Sequence, residues 1–178
     1  FDLMNHFIQY IEKKHGVTID IEWVKVKAFG EVYETIRKTE FPAFGVSSIS
    51  YTDERKKYVN YTPTYMPDIS VIVTGLDIPY VNSQAEFNQV FNNLNAQTLQ
   101  GSTLEKFLTS LRASNNLNFS INYVPRMSDI IGKVEQTPNS FAYIDLPTYL
   151  IALENNEGVK RQFFHAVKLR GYGFIYPQ

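Results

Sequence analysis

Between Ser47 and Tyr65 the chain reads SSISYTDERKKYVNYTPTY. Its clustered hydroxyls and early guanidinium are residue types that hold a small carboxylate. Ser47, Ser48 and Ser50 follow the apolar run Phe44, Gly45 and Val46, which reads as the end of a buried strand. Thr52 then stands where a helix N-cap would, and Asp53 and Glu54 are the charges that a helix start favours. Arg55 comes one turn in. In open α/β folds ligands bind where strands end and helices begin. An arginine there offers a carboxylate two parallel hydrogen bonds from one planar fork. The same residues also read as a turn-rich serine loop with a surface arginine, and the stretch alone leaves both open.

Two further places carry site chemistry. Leu99-Gln100-Gly101-Ser102-Thr103 closes a strand and opens a helix, and Ser102 with Glu105 matches the S-x-x-E capping box. A helix start beside a glycine turn also attracts an anion. Asp145 ends the run Phe141–Ile144 and precedes Leu146-Pro147, so it reads as an N-cap, or as a carboxylate that binds an ammonium group. Other chemistry finds little support. His6, His15 and His165 lie far apart with no partnered spacing, so no zinc site or proton relay is expected. There is no nucleophile elbow, no phosphate-loop motif and no general acid in an apolar setting, so no metal, cofactor or catalytic residue is assigned. The twelve Tyr and thirteen Phe are read as core and packing residues, and Arg55-Lys56-Lys57 as a solvated helix face.

The elements that must position these residues follow from hydrophobic period. Met4, Phe7, Ile8 and Ile11 fall at helical spacing, with Gly16 as a C-cap. Four more stripes repeat it: Phe29 to Ile36, Leu104 to Leu111, Met127 to Val134, and Leu146 to Leu153. Strands are expected at Ile19–Trp23, Ala43–Val46, Ser70–Thr74, Phe119–Tyr123 and Ser140–Ile144. Glu86–Leu94 also reads as helical. Alternation of strands with helices predicts an α/β fold of mostly parallel sheets flanked by helices. LDIPYVNS, after Gly75, has turn residues and no helical period, so two lobes with a hinge near Thr74 are expected. The lobes are 1–74, with 171–178 returning to it, and 75–170. The 178 residues and 44% hydrophobic content fit that size. A net charge of −1 with dispersed Lys and Arg argues against nucleic acid or an anionic membrane surface, and the lack of cysteine excludes a thiolate site.

Taken together, Ser48-Ile49-Ser50-Tyr51-Thr52-Asp53-Glu54-Arg55 and Val59-Asn60-Tyr61-Thr62-Pro63-Thr64-Tyr65 resemble the signature of the family 3 extracellular solute-binding proteins. Leu99–Thr103 resembles that family's second-lobe loop. Phe141–Asp145 resembles its strand ending in an acidic residue, and Gly171-Tyr172-Gly173-Phe174-Ile175 the segment returning to the first lobe. The resemblance implies a two-lobed, periplasmic-binding-protein-like "Venus flytrap" that captures a free polar L-amino acid and delivers it to an ABC-transporter permease. It would work in the periplasm or outside the cell, as a monomer and without catalysis. Arg55 would grip the ligand carboxylate with Ser50, the Ser48 backbone and Thr103. Asp145 would hold the ammonium from the opposite lobe, and Phe29 would pack on the ligand side chain or in the core. The family's first strand and C-terminal helices are expected to lie outside Phe1–Gln178. Two other readings stay open: the sensor domain of a signalling protein such as a histidine kinase, and an enzyme of the kind this fold hosts as arogenate or prephenate dehydratase.

Overall fold

The computed structural model describes residues 2–155 and 157–178, and the Phe29 side chain lies outside the described residues. The first apolar stripe forms α1 (Asp2–His15), of which only Met4 is buried. Gly16 takes a left-handed φ of 63°, and the Val17 N–H closes on the Glu12 carbonyl at 3.2 Å, the wider bond of a Schellman end. The strand expected at Ile19–Trp23 does not form. Ile19, Ile21 and Trp23 stand exposed in a segment without a ladder. Alternation sets which face a side chain takes, but a strand also needs a neighbouring edge for its backbone groups.

α2 (Phe29–Lys38) opens where Glu31 accepts the Lys27 and Ala28 N–H groups at 2.8 and 3.3 Å. β1 (Gly45–Ser50) then runs four residues past the expected Val46, so its serines lie within the strand. A single 3-10 turn, Arg55–Lys57, replaces the expected helix, although the Thr52 hydroxyl does accept the Arg55 N–H at 3.2 Å. The remainder runs β2 (Asn60–Tyr61), β3 (Met66–Gly75), α3 (Gln84–Phe91), β4 (Asn95–Leu99), α4 (Thr103–Ser114), β5 (Ser120–Val124), α5 (Asp129–Gln136), β6 (Ser140–Asp145), α6 (Leu146–Glu154), β7 (Val159–Arg161) and β8 (Val167–Tyr176).

The described strands form one sheet in the order β1-β8-β3-β6-β4-β5, with β2 also on β8 and β7 also on β3. β4-α4-β5 and β5-α5-β6 are the expected crossover units, and β4 pairs parallel with both β5 and β6. Elsewhere the parallel expectation gives way, for β1, β2 and β3 all lie antiparallel to β8, and β3 lies antiparallel to β6 and β7. The reason is that two strands of ten residues, β3 and β8, pair with each other across most of the chain length. Thr74 sits within the ladders to β6 and β7, and the irregular step of β3 lies between Met66 and Asp68.

Two apolar clusters flank this sheet. The larger gathers Val71, Ile72 and Val73 of β3 with residues of α3, α4, α5, β4 and β6. Phe91 and Phe119 set their rings edge-on to Phe141 at 4.9 and 5.0 Å, and all three are buried. Each such side chain contributes roughly 1.5–3 kcal/mol through burial. The smaller cluster is Ile36, Ile49, Val59 and Ile175, with Val32, Tyr33, Ala43 and Tyr61 packed on it. Among the described residues no helix is long and apolar enough to cross a membrane.

Gly171 is where the β3–β8 pairing constrains residue choice. Its φ is 131°, and a Cβ there would meet the Met66 carbonyl oxygen at 2.6 Å. Gly132, on α5, would meet nothing within 4 Å. Gly171→Ala is therefore expected to lose about 1–3 kcal/mol from strain, and Gly132→Ala to gain roughly 0.5–1 kcal/mol from helix propensity. Urea melts of the two variants check both signs, and a Gly171→Ala protein that unfolds with the parent would remove the constraint.

Candidate functional site

The topology explains why Thr103 and Asp145 lie at the same end of neighbouring strands. β4 lies between β6 and β5, so the chain crosses from β4 to β5 through α4 in one direction and from β5 back past β4 to β6 through α5 in the other. Such a switch point opens a crevice beyond the carboxyl ends of the strands. Leu99 ends β4 just before α4, and Asp145 ends the neighbouring β6 just before α6. Gly101 takes a φ of 74° in the intervening turn. The Ser102 hydroxyl, buried, donates to the Leu99 carbonyl at 2.7 Å and accepts the Glu105 N–H at 3.3 Å, while Glu105 accepts the Gly101 N–H at 2.7 Å. Capping is thus real at Ser102, and it leaves Thr103 at the first helical position facing β1.

From the other side, Ser50 closes β1 opposite Tyr172 of β8. Its hydroxyl lies 3.2 Å from that of Thr103, so the two sequence-assigned residues meet across 53 positions of chain. Nearby, the ion pair of Lys106 with Glu54 joins the same two sides at the rim. Arg55 donates from Nη1 to the Ser50 carbonyl at 3.4 Å, and its guanidinium lies 5.6 Å from the centre of the Tyr33 ring. The Tyr61 hydroxyl donates to the same carbonyl at 3.0 Å. Burial pushes the Tyr61 hydroxyl up to about 12 against the opposing pull of Arg55, so it remains a donor at neutral pH.

Asp145 is half-buried, and its Oδ1 accepts the Thr148 N–H at 2.8 Å, so the N-cap reading describes the structure. Ser70 of β3 pairs opposite it. Ser48 is exposed on β1, two residues before Ser50. Phe29 begins α2, and whether it faces the site lies outside the described residues. The geometry therefore gathers Ser50, Arg55, Thr103 and Asp145 at the junction of β1, β3, β4 and β6.

Sequence reasoning passed over three residues here: Tyr61, Tyr172 and Asp68. Asp68 also corrects the expectation that no acid lies in an apolar setting. It is 2% exposed, and its Oδ2 has no hydrogen-bond partner among the described residues. The signal was present as a lone charge in the strand MPDISVIVTG, a position where ionisable residues are seldom found. Burial first, and Asp145 as well, push the Asp68 carboxyl above its ordinary range, while the Ser50 and Tyr172 hydroxyls and Arg55 oppose that rise. Tyr172 is pushed up too, first by burial and then by the Asp68 and Asp145 carboxylates.

Other parts of the chain offer weaker chemistry. A groove of about 220 Å³ runs beside α1, but Leu3, Met4, Phe7, Phe44 and Phe174 make its lining mainly apolar, with no charged group. His165 has its ring 4.5 Å from that of Phe87, and burial pushes its imidazole below its usual value. No group of His, Asp or Glu suited to a metal occurs among the described residues.

Neither the protein-family models nor the curated proteins include a match to this sequence. Solved structures do match in fold. An ancestral arginine-binding protein bound to arginine superposes with a TM-score of 0.73 at 16% identity, covering 98% of this chain and 73% of that one. The amino acid ABC transporter substrate-binding protein AbpA from Streptococcus pneumoniae, bound to L-arginine, gives 0.69 at 15% identity, over 98% and 69% of the two chains. An ancestral amino acid-binding protein, AncCDT-1, described as a precursor of cyclohexadienyl dehydratase, gives 0.71 at 17% identity over 98% and 70%. The fold is that of the two-lobed, periplasmic-binding-protein-like amino acid-binding proteins.

The cap assignment of Asp145 has its own test. Asp145→Ala is expected to lose about 1 kcal/mol of stability, whereas Asp145→Asn, which caps nearly as well, stays close to the parent. Thermal melts of both variants decide it, and an asparagine variant that falls as far as the alanine one would rule against a simple cap.

Proposed function

We propose that this chain is an amino acid receptor that binds a free polar L-amino acid between its two lobes and delivers it to an ABC-transporter permease. The observation that carries this reading is the contact of the hydroxyl of Ser50, whose carbonyl holds Arg55, with the Thr103 hydroxyl after β4, beside the strand end of β6 that carries Asp145. One cation and one anion on opposite sides complement the two charges of a zwitterion. Arg55 takes the carboxylate with the Ser50 and Thr103 hydroxyls, and the part of Asp145 not engaged in capping takes the ammonium. Ser48 contributes its backbone and Phe29 an aromatic wall. The neighbours of known structure support the same class, since two of them are described as bound to arginine.

The lobes of this proposal divide at the irregular step between Met66 and Asp68, earlier than Thr74. Val71, Ile72 and Val73 pack in the larger cluster, while Ile36, Ile49, Val59 and Ile175 form the smaller one. The receptor acts as a monomer outside the cytoplasmic membrane. Its role is binding, a reading supported by neighbours of the same fold that are described as amino acid-binding proteins.

Calorimetry against the twenty L-amino acids should find at least one binder, and a flat panel from folded protein overturns the reading. Against that binder, Arg55→Lys keeps the charge and loses the fork. The expected cost is about 1.5–3 kcal/mol for charged hydrogen bonds, at least ten-fold in Kd, with an unchanged melting temperature. Equal affinity in the lysine variant would place Arg55 outside the site.

A further inference from the structure

We propose that Asp68 is a second carboxylate of the ammonium end of this site, acting with Asp145 on the ligand's cationic nitrogen. The inference rests on the amino acid reading above and extends it to a residue that the sequence motifs do not mark. It begins from register. Ser70 lies directly opposite Asp145, and Asp68 is two residues along the same strand in a regular stretch of ladder. Residues that pair directly, and residues two apart on a strand, share a face of the sheet. Asp68 and Asp145 are therefore diagonal neighbours on one face, at about 7–8 Å. Two carboxylate oxygens that each bond one ammonium at about 2.8 Å stand up to roughly 5.6 Å apart, which two such side chains reach.

The second observation concerns Asp68 itself. Its residue is 2% exposed, and the buried Oδ2 has no hydrogen-bond partner among the described residues. A buried carboxylate oxygen is costly unless something positive or a donor reaches it. The groups acting on this carboxyl are Ser50 from β1, Arg55 from the turn after it, Tyr172 from β8 and Asp145 from β6. Ser50, Asp145 and Asp68 itself come from strands already gathered at the site, and Arg55 is one of its residues. Arg55 is the sole cation in that set, and a zwitterion's carboxylate would occupy it. The ligand's nitrogen then faces two acids, and it supplies the positive charge and the donors that Oδ2 lacks.

Without ligand, a proton is the natural substitute. Burial and the Asp145 charge already favour the protonated form of Asp68. An arriving ammonium favours the ionised form, so binding should release a proton to the solvent. The same physics sets the stability of the empty protein. A carboxyl whose pKa is raised by folding supports the fold at low pH. That support is lost as pH climbs from the ordinary carboxylate value through the raised one. Asp68→Asn removes the loss while keeping size and hydrogen-bonding capacity.

The test begins with the parent and the twenty L-amino acids, then repeats the best binder on Asp68→Asn. The expected result is a Kd weaker by about ten-fold or more, with a melting temperature at neutral pH, without ligand, that is equal to or above the parent's. Calorimetry of the parent in two buffers of different ionisation enthalpy, over a range of pH values upward from the ordinary carboxylate value, should show proton release, and the asparagine variant should not. A merely structural Asp68 would lower the melting temperature and leave affinity unchanged, and that outcome overturns the proposal. So does a parent that binds with no linked proton across that range, which decides the matter even if the variant does not fold. A parent that binds none of the twenty instead overturns the amino acid reading, and this inference with it.

Discussion

The pairing of β3 with β8 is the constraint on which everything else hangs. Each strand has ten residues, and between them they hydrogen-bond to β1, β2, β6 and β7. The two apolar clusters form at different reaches of this ladder, Val71 to Val73 in one and Ile175 in the other. The site lies where the change occurs. Asp68 and Ser70 of β3, Tyr172 of β8, Ser50 of β1 and Asp145 of β6 are all pinned by register to that stretch. Loops supply only Arg55, and even it is anchored through the Ser50 carbonyl. A site built this way inherits its geometry from hydrogen-bonded backbone rather than from mobile segments.

Local chemistry was legible in the sequence where it obeys local rules. Ser102 and Asp145 cap the helices that follow them, because capping needs only residues a few positions apart. The apolar stripes of α4 and α5 are buried as their spacing requires. The parallel order of β4, β5 and β6 follows from strand and helix alternation. Arg55 and Ser50 stood out by type and position, and the structure places them in contact.

What stayed hidden was non-local. Nothing near Met66 or Val167 announces that these segments pair with one another, since antiparallel partners separated by about a hundred residues leave no mark in either window. That pairing turns the first part of the sheet antiparallel. Ile19 to Trp23 shows the reverse case, a strand pattern with no edge to accept it. Asp68 was legible only as an anomaly, a single acid in a strand otherwise suited to the core. The pattern draws the eye to the serines and the arginine that precede it, and the acid's place on one face with Asp145 appears only when Ser70 is seen opposite Asp145.

The unladdered segment 17–26 has a consequence for how the molecule would respond to probes of local opening. Its backbone joins no described strand ladder, and every residue from Val17 to Lys25 is exposed. Opening it exposes little buried surface, so its free energy of opening lies at the low end of the range seen within one protein. The amides of β3, β4 and β6 sit in the largest cluster and open only with the whole. Deuterium uptake should therefore saturate early over 17–26 and late over those strands, and a protease cut in the former would report on that segment alone. A limited digest would cut first between the N-terminal helix and the sheet, so the first nick says nothing about the stability of the candidate site.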